Sequence, residues 1–253
     1  MGTSYTYSSS YDYGEGYTSA ELISGGASYA AVYSLMRPYT GAGAPDPEFR
    51  IHASGNTVNP RYFRVLLNND SLMGPTMDYF DYVKATQTFP ISKIAASGSL
   101  SINVSNRSAV SGDRMVMHYM SVTYPRLFNF NAASVFSFSL PATAVGNFLV
   151  IDNFQAVAGT YPVLYDLTNG KRYVATTTTA PFRFRIDPSA TTRQLILVNQ
   201  SPSNFKAIGS FEQRDFINYG DPSNQGDFLI ITNQVLTGLS GGADPVEDYR
   251  QYR

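Results

Sequence analysis

Apolar and polar residues alternate along several short segments of this chain. In the segments 100–105, 136–140 and 182–186, every second residue is Leu, Ile, Val or Phe, and the residues between them are Ser, Asn or Arg. Successive side chains of a strand point to opposite faces of the sheet. The pattern therefore predicts strands that bury one face and leave the other in solvent.

Turn-forming residues separate these segments from further apolar stretches. Asn68-Asn69-Asp70 follows one such stretch and Thr168-Asn169-Gly170 follows another, and Asn-Gly is a dipeptide that tight hairpins favour. Additional strands are predicted at 29–35, 63–67, 115–124, 148–151, 163–167 and 195–198. About ten short strands separated by turns predict a mostly β chain with one or two antiparallel β-sandwich domains.

The pattern changes after a linker at 221–226. Asp227–Thr232 contains the unbroken apolar run Phe228–Ile231, which is typical of a strand buried on both faces in a parallel sheet. The residue types that follow predict the start of a helix. Asp244 suits the N-cap, Pro245 suits the first helical position, and Glu247, three residues after the cap, completes a capping box. A strand followed by a helix needs a second parallel strand, so we interpret this end as the truncated first β-α unit of an α/β domain.

These patterns divide the sequence into four regions. Residues 1–47 are an N-terminal strand and linker region, in which Tyr5, Tyr7, Tyr11, Tyr13 and Tyr17 fit a strand, an aromatic clamp or a frayed tail. Residues 48–128 form a β-sandwich of galactose-binding-like or jelly-roll-like type. Residues 129–219 are a second β-sandwich or a continuation of the first, and residues 220–253 are the truncated α/β start.

Composition narrows the functional classes. The 253 residues carry a formal net charge of −1 with 15% charged residues, so no basic surface for nucleic acid is expected. No apolar run reaches the roughly 18 residues of a transmembrane helix, and no signal peptide follows Met1, as would also hold for a chain lacking its natural start. Cysteine is absent, which excludes disulfides, thiolate nucleophiles and thiolate metal sites.

The remaining candidates for catalysis are weak. His118 follows Asp113 and Arg114 on a predicted strand, but the nearby Ser111 and Ser121 lack the sequence context of a nucleophile elbow. His52, the only other histidine, lies near the start of a strand. We expect both histidines to be ordinary strand residues, and we predict no catalytic, cofactor-binding or metal-binding residue in this chain.

Two kinds of surface chemistry stay open as alternatives. Asp78 and Asp81 could act as paired carboxylates on a glycoside, although solvated loop residues explain them as well. The 19 Tyr and 16 Phe could supply a platform on which sugars stack, although most should pack in cores. Four Asn-x-Ser tripeptides begin at Asn69, Asn103, Asn106 and Asn199, a number expected by chance in such a sequence.

Several segments resemble PorU-type proteins, the gingipain-like cysteine peptidases that act as sortases of the type IX secretion system in Bacteroidetes. Gly226–Asn233 with Pro245–Arg253 is similar to the opening strand and first helix of their peptidase domain. Asp113–Leu127 resembles a family strand of the pattern DYIEVxYxRxL, and Val163–Thr168 resembles VWDVT. Tyr13-Gly14-Glu15 is similar to an N-terminal W-(F/Y)-GE element, and Asp70-Ser71-Leu72 matches a short O-glycosylation tripeptide of these bacteria.

The resemblance implies a function for the parent protein rather than for this chain. The family's catalytic His and Cys lie beyond the last residue here, and His118 and Tyr165 stand where the family usually has Asp and Trp. The parent would cleave the sorting domain from secreted cargo and attach the cargo to an anionic lipopolysaccharide. It would do so at the outer-membrane exterior of a Gram-negative bacterium, beside an outer-membrane β-barrel partner.

Our first hypothesis is therefore a non-catalytic N-terminal portion of a PorU-like sortase, which positions the peptidase and docks partners. The alternative is a freestanding secreted adhesin or carbohydrate-binding β-sandwich, which the aromatic content and low charge favour. An independent hydrolase is a third possibility, for which the sequence offers no orienting partners around its histidines.

Overall fold

The computed structural model describes residues 17–95, 98–206, 208–226, 230–233, 237 and 244–252. Strands dominate the described residues, which confirms the predicted mostly β class. The chain divides into two units, Met1–Phe205 and Lys206–Arg253. None of the helices in the described ranges is long and apolar enough to cross a lipid bilayer.

The first half of the larger unit forms two facing sheets. Its strands are β1 (Leu22–Ile23), β2 (Tyr29–Tyr33), β3 (Glu48–Gly55), β4 (Arg61–Leu67), β5 (Asp70–Met73), β6 (Thr76–Met77), β7 (Tyr82–Thr88), β8 (Leu100–Asn106) and β9 (Arg114–Thr123), with a short helix α1 (Ser92–Ala95) before β8. One sheet has the order β1-β9-β3-β7 and the other β2-β8-β4-β5, with β6 paired to β4. The last strand, β9, therefore lies in the interior of its sheet.

The alternation of buried and exposed residues along the strands shows which side chains form the first core. In β4 and β8 every second residue is buried, and the two strands pair with Val65 opposite Val104. These side chains meet Phe49 and Ile51 of the opposite sheet in one apolar cluster. Full burial of a side chain of this size contributes about 1.5–3 kcal/mol. The predicted strands at 63–67 and 100–105 are confirmed.

The second half repeats the two-layer arrangement. Its strands are β10 (Asn129–Ala133), β11 (Val135–Leu140), β12 (Asn147–Phe154), β13 (Val163–Asp166), β14 (Lys171–Val174), β15 (Phe182–Ile186) and β16 (Arg193–Val198). The sheets have the orders β10-β12-β15 and β11-β16-β13-β14, so the last strand again lies inside its sheet. A second apolar cluster, containing Phe130, Ile151, Phe184 and Leu197, fills the space between them.

One pair of strands departs from the predicted antiparallel pattern. β10 runs parallel to β12, with Asn129 opposite Asp152 and Ala133 opposite Phe154. The intervening strand, β11, belongs to the other sheet, so the chain crosses between layers and returns. Alternation reports which face of a strand is buried but not its direction, so the sequence could not reveal this pair.

Both predicted turns connect antiparallel strands, the first as a two-residue loop and the second within a four-residue loop at 167–170. Asn68 and Asn69 have φ values of 48° and 69° and join β4 to β5. Positive φ at both central residues of a two-residue loop is the type I′ geometry, for which Asn is well suited. Thr168-Asn169-Gly170 lies in the connection between β13 and β14, and Gly170 has a φ of 62°.

The 35–39 segment and the 124–131 segment join the two halves of the larger unit. Arg126 donates from Nη1 to the Met36 carbonyl at 2.6 Å and from Nη2 to the Asn129 carbonyl at 2.9 Å. Its guanidinium also lies 5.1 Å from the centre of the Phe136 ring. Met36 belongs to the first core and Phe136 packs on the second. Arg126 thus contacts both cores.

The smaller unit contains helix α2 (Pro245–Tyr252), as predicted. The Asp244 carboxylate accepts hydrogen bonds from the backbone of Val246 at 2.9 Å and Glu247 at 3.2 Å, which satisfies two otherwise unpaired amides. The predicted strand at 227–232 is not found at 230–232, and residues 227–229 lie outside the described residues. The tyrosines at 5, 7, 11 and 13 also lie outside them.

Candidate functional site

A buried ion pair joins the two sheets of the first sandwich. Arg61 begins β4 and Asp113 directly precedes β9, and neither side chain is exposed. Arg61 donates from Nε to Asp113 Oδ2 at 2.7 Å and from Nη2 to Oδ1 at 3.0 Å. This two-point contact is the geometry in which an arginine–carboxylate pair is strongest.

Further donors complete the surroundings of the Asp113 carboxylate. The Asn106 amide donates to Oδ2 at 2.9 Å, the Asn59 amide donates to Oδ1 at 3.2 Å, and the Thr57 hydroxyl donates to Oδ1 as well. Burial alone would raise the pKa of Asp113, but hydrogen bonds from Arg61, Thr57, Asn106 and Asn59 outweigh it and lower the pKa to about 2. The carboxylate is therefore charged throughout the physiological range.

The remaining donors of Arg61 fix the backbone around it. Nη1 donates to the Tyr79 carbonyl at 2.6 Å and Nη2 donates to the Thr57 carbonyl at 2.7 Å. Gly55 leaves the space for this contact, because a Cβ there would lie 1.9 Å from both Arg61 Nη1 and the Tyr79 oxygen. Tyr79 itself has a φ of 42°, in the left-handed region that non-glycine residues seldom adopt.

An open cleft of about 860 Å³ lies beside this network. Three segments line it: the start of β4, the turn that follows β6, and the loop that follows β8. The lining residues are Pro60, Arg61, Tyr62, Thr76, Met77, Asp78, Asp81, Arg107, Ser108 and Ala109. The structure thus brings together Asp78 and Asp81, which the sequence singled out, with two arginines that it did not.

His118 contacts a serine that the sequence did not indicate. Its Nε2 lies 2.6 Å from the Ser54 hydroxyl, and its Nδ1 lies 3.3 Å from the Tyr17 carbonyl. A carbonyl only accepts, so Nδ1 carries the proton and Nε2 accepts from Ser54. Burial lowers the pKa of His118, and the charge of His52 lowers it further against the opposing effect of the Tyr17 carbonyl.

This serine–histidine contact is poorly placed for catalysis. Ser54 is 0% exposed, so a substrate cannot reach its hydroxyl without rearrangement of β3 and its neighbours. The Nδ1 atom of His118 lies against the Tyr17 carbonyl, a neutral group, whereas a catalytic triad has a carboxylate at the corresponding position. The contact fits a structural role between β3 and β9.

The other candidates from the sequence are dispersed. His52 is buried and its ring lies 5.2 Å from that of Tyr119. Of the four Asn-x-Ser tripeptides, those at Asn106 and Asn199 are buried and hydrogen-bonded, which leaves no room for a glycan. Among the described residues, no group of three or more His, Asp or Glu could hold a metal ion. The chain has no cysteine and so has no cysteine-peptidase activity of its own.

The sequence did contain a signal for the buried network. Arg61 is in phase with the buried Phe63, Val65 and Leu67, and Asn106 is in phase with the buried residues of β8. A charged residue at an inward position needs a partner of opposite charge. The signal predicts that a carboxylate exists inside the sandwich, although it does not identify Asp113.

No family model and no curated protein matches this chain. Its structure is similar to dimeric latent PorU from Porphyromonas gingivalis, with 10% sequence identity and a TM-score of 0.48 over 69% of this chain. It is also similar to a cycloisomaltooligosaccharide glucanotransferase from a Paenibacillus species complexed with cycloisomaltoheptaose, with 8% identity and a TM-score of 0.23 over 73% of this chain. The chain spans 18% of the first protein and 46% of the second. Neither similarity identifies a function for this chain.

Proposed function

We propose that this chain is a non-catalytic portion of a PorU-like cell-surface sortase of the type IX secretion system. In this proposal the two sandwiches position the peptidase domain and dock its partners. The parent protein cleaves sorting domains from secreted cargo and attaches the cargo to the cell surface. Its partners are the cargo and an outer-membrane β-barrel protein.

The proposal rests on the resemblance of Asp113–Leu127 to a family strand. Ten of these residues form β9, which lies between β1 and β3 in its sheet. Two residues that match the pattern have structural contacts here: the Tyr124 hydroxyl donates to the Met36 carbonyl at 2.8 Å, and Arg126 contacts both cores. Residues with such structural contacts are compatible with a scaffold role.

The other matching segments occupy regular elements as well. Val163–Asp166 is β13, and Pro245–Tyr252 is helix α2 with its Asp244 cap. The two departures from the family patterns are compatible with these elements. His118 is a half-buried strand residue, and Tyr165 lies on the outer face of β13 with 36% of its surface exposed.

The direct test is genetic. In the bacterium that encodes this chain, deletion of the region for residues 17–205 should leave secreted cargo with its sorting domain attached, as measured by mass spectrometry of medium and outer-membrane fractions. Reintroduction of the wild-type gene should restore processing. Normal processing in the deletion strain would contradict the proposal.

A biochemical test separates a supporting role from an independent enzyme. The purified chain should not cleave a peptide that contains a sorting domain, nor should it hydrolyse ester or glycoside substrates. If hydrolysis occurs, the variants Ser54→Ala and His118→Ala decide its source. Loss of activity in both would identify a Ser54–His118 catalytic pair and overturn the non-catalytic assignment.

A further inference from the structure

The cleft beside the Arg61–Asp113 pair has fixed walls. Arg61 is one of its lining residues, and its guanidinium, which is fully buried, is held by Asp113, Thr57 and Tyr79. The turn from Asp78 to Asp81 forms one wall, and it is closed by a hydrogen bond of 2.8 Å from the Asp81 amide to the Asp78 carbonyl. This wall is therefore set before any ligand arrives, which lowers the entropic cost of binding.

The acidic wall presents two carboxylates to the cleft. The Asp81 carbonyl accepts from the Gly55 amide at 2.9 Å, which ties the turn to the end of β3. Asp78 Oδ1 accepts from the Tyr79 amide at 2.9 Å, and both aspartates are exposed. Because both side chains are exposed, their carboxylate oxygens can accept from hydroxyl or amine donors in solvent.

The opposite wall supplies a donor and an aromatic face. Arg107 follows β8, and its backbone amide donates to the Tyr62 carbonyl at 2.9 Å. Its side chain is exposed at the cleft. Tyr62 is 44% exposed, because it lies on the outward face of β4 between the buried Arg61 and Phe63. The cleft thus combines carboxylates, a guanidinium and a phenol ring.

We propose that this cleft binds a saccharide unit of a glycan. Vicinal hydroxyls of a sugar ring are paired donors and acceptors, which suit carboxylate oxygens on one wall and a guanidinium on the other. The apolar face of the ring stacks on Tyr62. The described residues offer no cluster that would hold a metal ion, and two carboxylates disfavour a polyanion.

This inference is independent of the proposed sortase role. A glycan-binding cleft fits a scaffold at a glycan-rich cell surface as well as a freestanding adhesin. The inference places the carbohydrate-binding activity considered in the sequence analysis in one cleft, which is formed by Tyr62, Asp78, Asp81 and Arg107.

The test uses the purified 253-residue chain on a microarray of neutral and charged oligosaccharides built from glucose, galactose, mannose, N-acetylglucosamine and sialic acid. We expect binding to at least one of them. For a bound glycan, Asp78→Asn, Asp81→Asn and Tyr62→Ala should each weaken the affinity about tenfold or more in calorimetric titration. Asp152→Asn, which removes the same charge from an exposed position on β12, is the matched control and should leave the affinity unchanged.

A measurement on the unmodified chain protects the test against variants that fail to fold. In ¹⁵N spectra, the bound glycan should shift the backbone amides of residues 61–62, 76–81 and 107–109. Absence of binding to every glycan of the array overturns the inference. So does a glycan whose shifts map elsewhere, or whose affinity is the same in all three cleft variants.

Discussion

Two inward arginines show how differently a buried charge can be accommodated. Arg61 and Arg193 both begin a strand in phase with its apolar residues, and both side chains are 0% exposed. Arg61 lies 2.7 Å from Asp113, whereas Arg193 lies 3.9 Å from Asp166. Two nitrogens of Arg193, Nε and Nη1, have no hydrogen-bond partner among the described residues. Asp166 is meanwhile satisfied by Asn169, which donates to it at 3.0 Å and 2.8 Å.

Replacement of these arginines by an apolar residue of similar length should therefore have unequal effects. Arg61→Met leaves the buried Asp113 charge without its main partner and should lower the free energy of unfolding by about 3–5 kcal/mol. Arg193→Met removes the long pair with Asp166 and a 3.5 Å contact to Asn147, while Asp166 keeps its hydrogen bonds from Asn169. The free energy of unfolding should therefore fall by a smaller amount, about 1–2 kcal/mol. Urea denaturation of both variants measures the contrast, and equal losses would contradict this reading of the two pairs.

Asp113 should make the chain sensitive to strong acid. Its pKa is lowered from 3.8 to about 2 in the folded state. The unfolded chain therefore binds a proton that the folded chain rejects, and stability falls as the pH drops from about 4 to about 2. Protonation of Asp113 should lower the free energy of unfolding by an amount on the order of 2 kcal/mol. A carboxyl-carbon NMR titration should place the Asp113 midpoint well below that of exposed aspartates, and an ordinary midpoint would refute it.

His118 should act in a higher pH range. Burial and His52 lower its pKa below 6.5, so the folded chain favours the neutral imidazole that accepts from Ser54. Protonation removes that acceptor, and stability should fall as the pH decreases from about 6.5 toward the folded-state value. In His118→Gln this part of the pH dependence should vanish in urea titrations. The Asp113 step at lower pH should remain, which serves as an internal control.

At the scale of single elements, alternation predicted the strands that have one buried face. It located β4, β8, β11 and β15 because their inward residues are large and apolar. β7 was missed because it lies at a sheet edge, where most of its residues are exposed and the pattern is lost. The cleft was not predictable either, since it assembles three segments whose proximity depends on sheet order.

Helix α2 depends on its cap, because the helix has no buried residue. Asp244→Ala removes the acceptor for two backbone amides and should destabilise the helix by about 1 kcal/mol. The ¹³Cα shifts of residues 245–252 should then move toward random-coil values. Asp244→Asn keeps a side-chain acceptor and should retain helical shifts, and identical shifts in both variants would assign the helix another cause.

At the scale of the whole larger unit, Arg126 is one link between the two cores. Arg126 contacts Met36 on the first and Phe136 on the second. Arg126→Ala should therefore weaken the coupling of the two sandwiches. In scanning calorimetry, the ratio of the calorimetric to the van't Hoff enthalpy of unfolding should then be higher than in the wild type, because the two sandwiches no longer unfold in a single transition.

Arg50→Ala is the control for this experiment. Arg50 pairs with Glu48 at 3.6 Å on the surface of one sandwich, away from the second core. The enthalpy ratio should be the same as in the wild type, because an exposed pair contributes little. An unchanged ratio in Arg126→Ala as well would show that other contacts carry the coupling.

The position of β9 and β16 has a consequence for synthesis on the ribosome. Each is the last strand of its sandwich, yet each lies between two partners that are made earlier. Until β9 is synthesised, the edges of β1 and β3 that pair with it stay unpaired in the nascent chain. The same holds for the edges of β11 and β13 that pair with β16. Each sandwich can thus close only when its final strand has left the exit tunnel, so a translational pause shortly before either strand would prolong exposure of those edges.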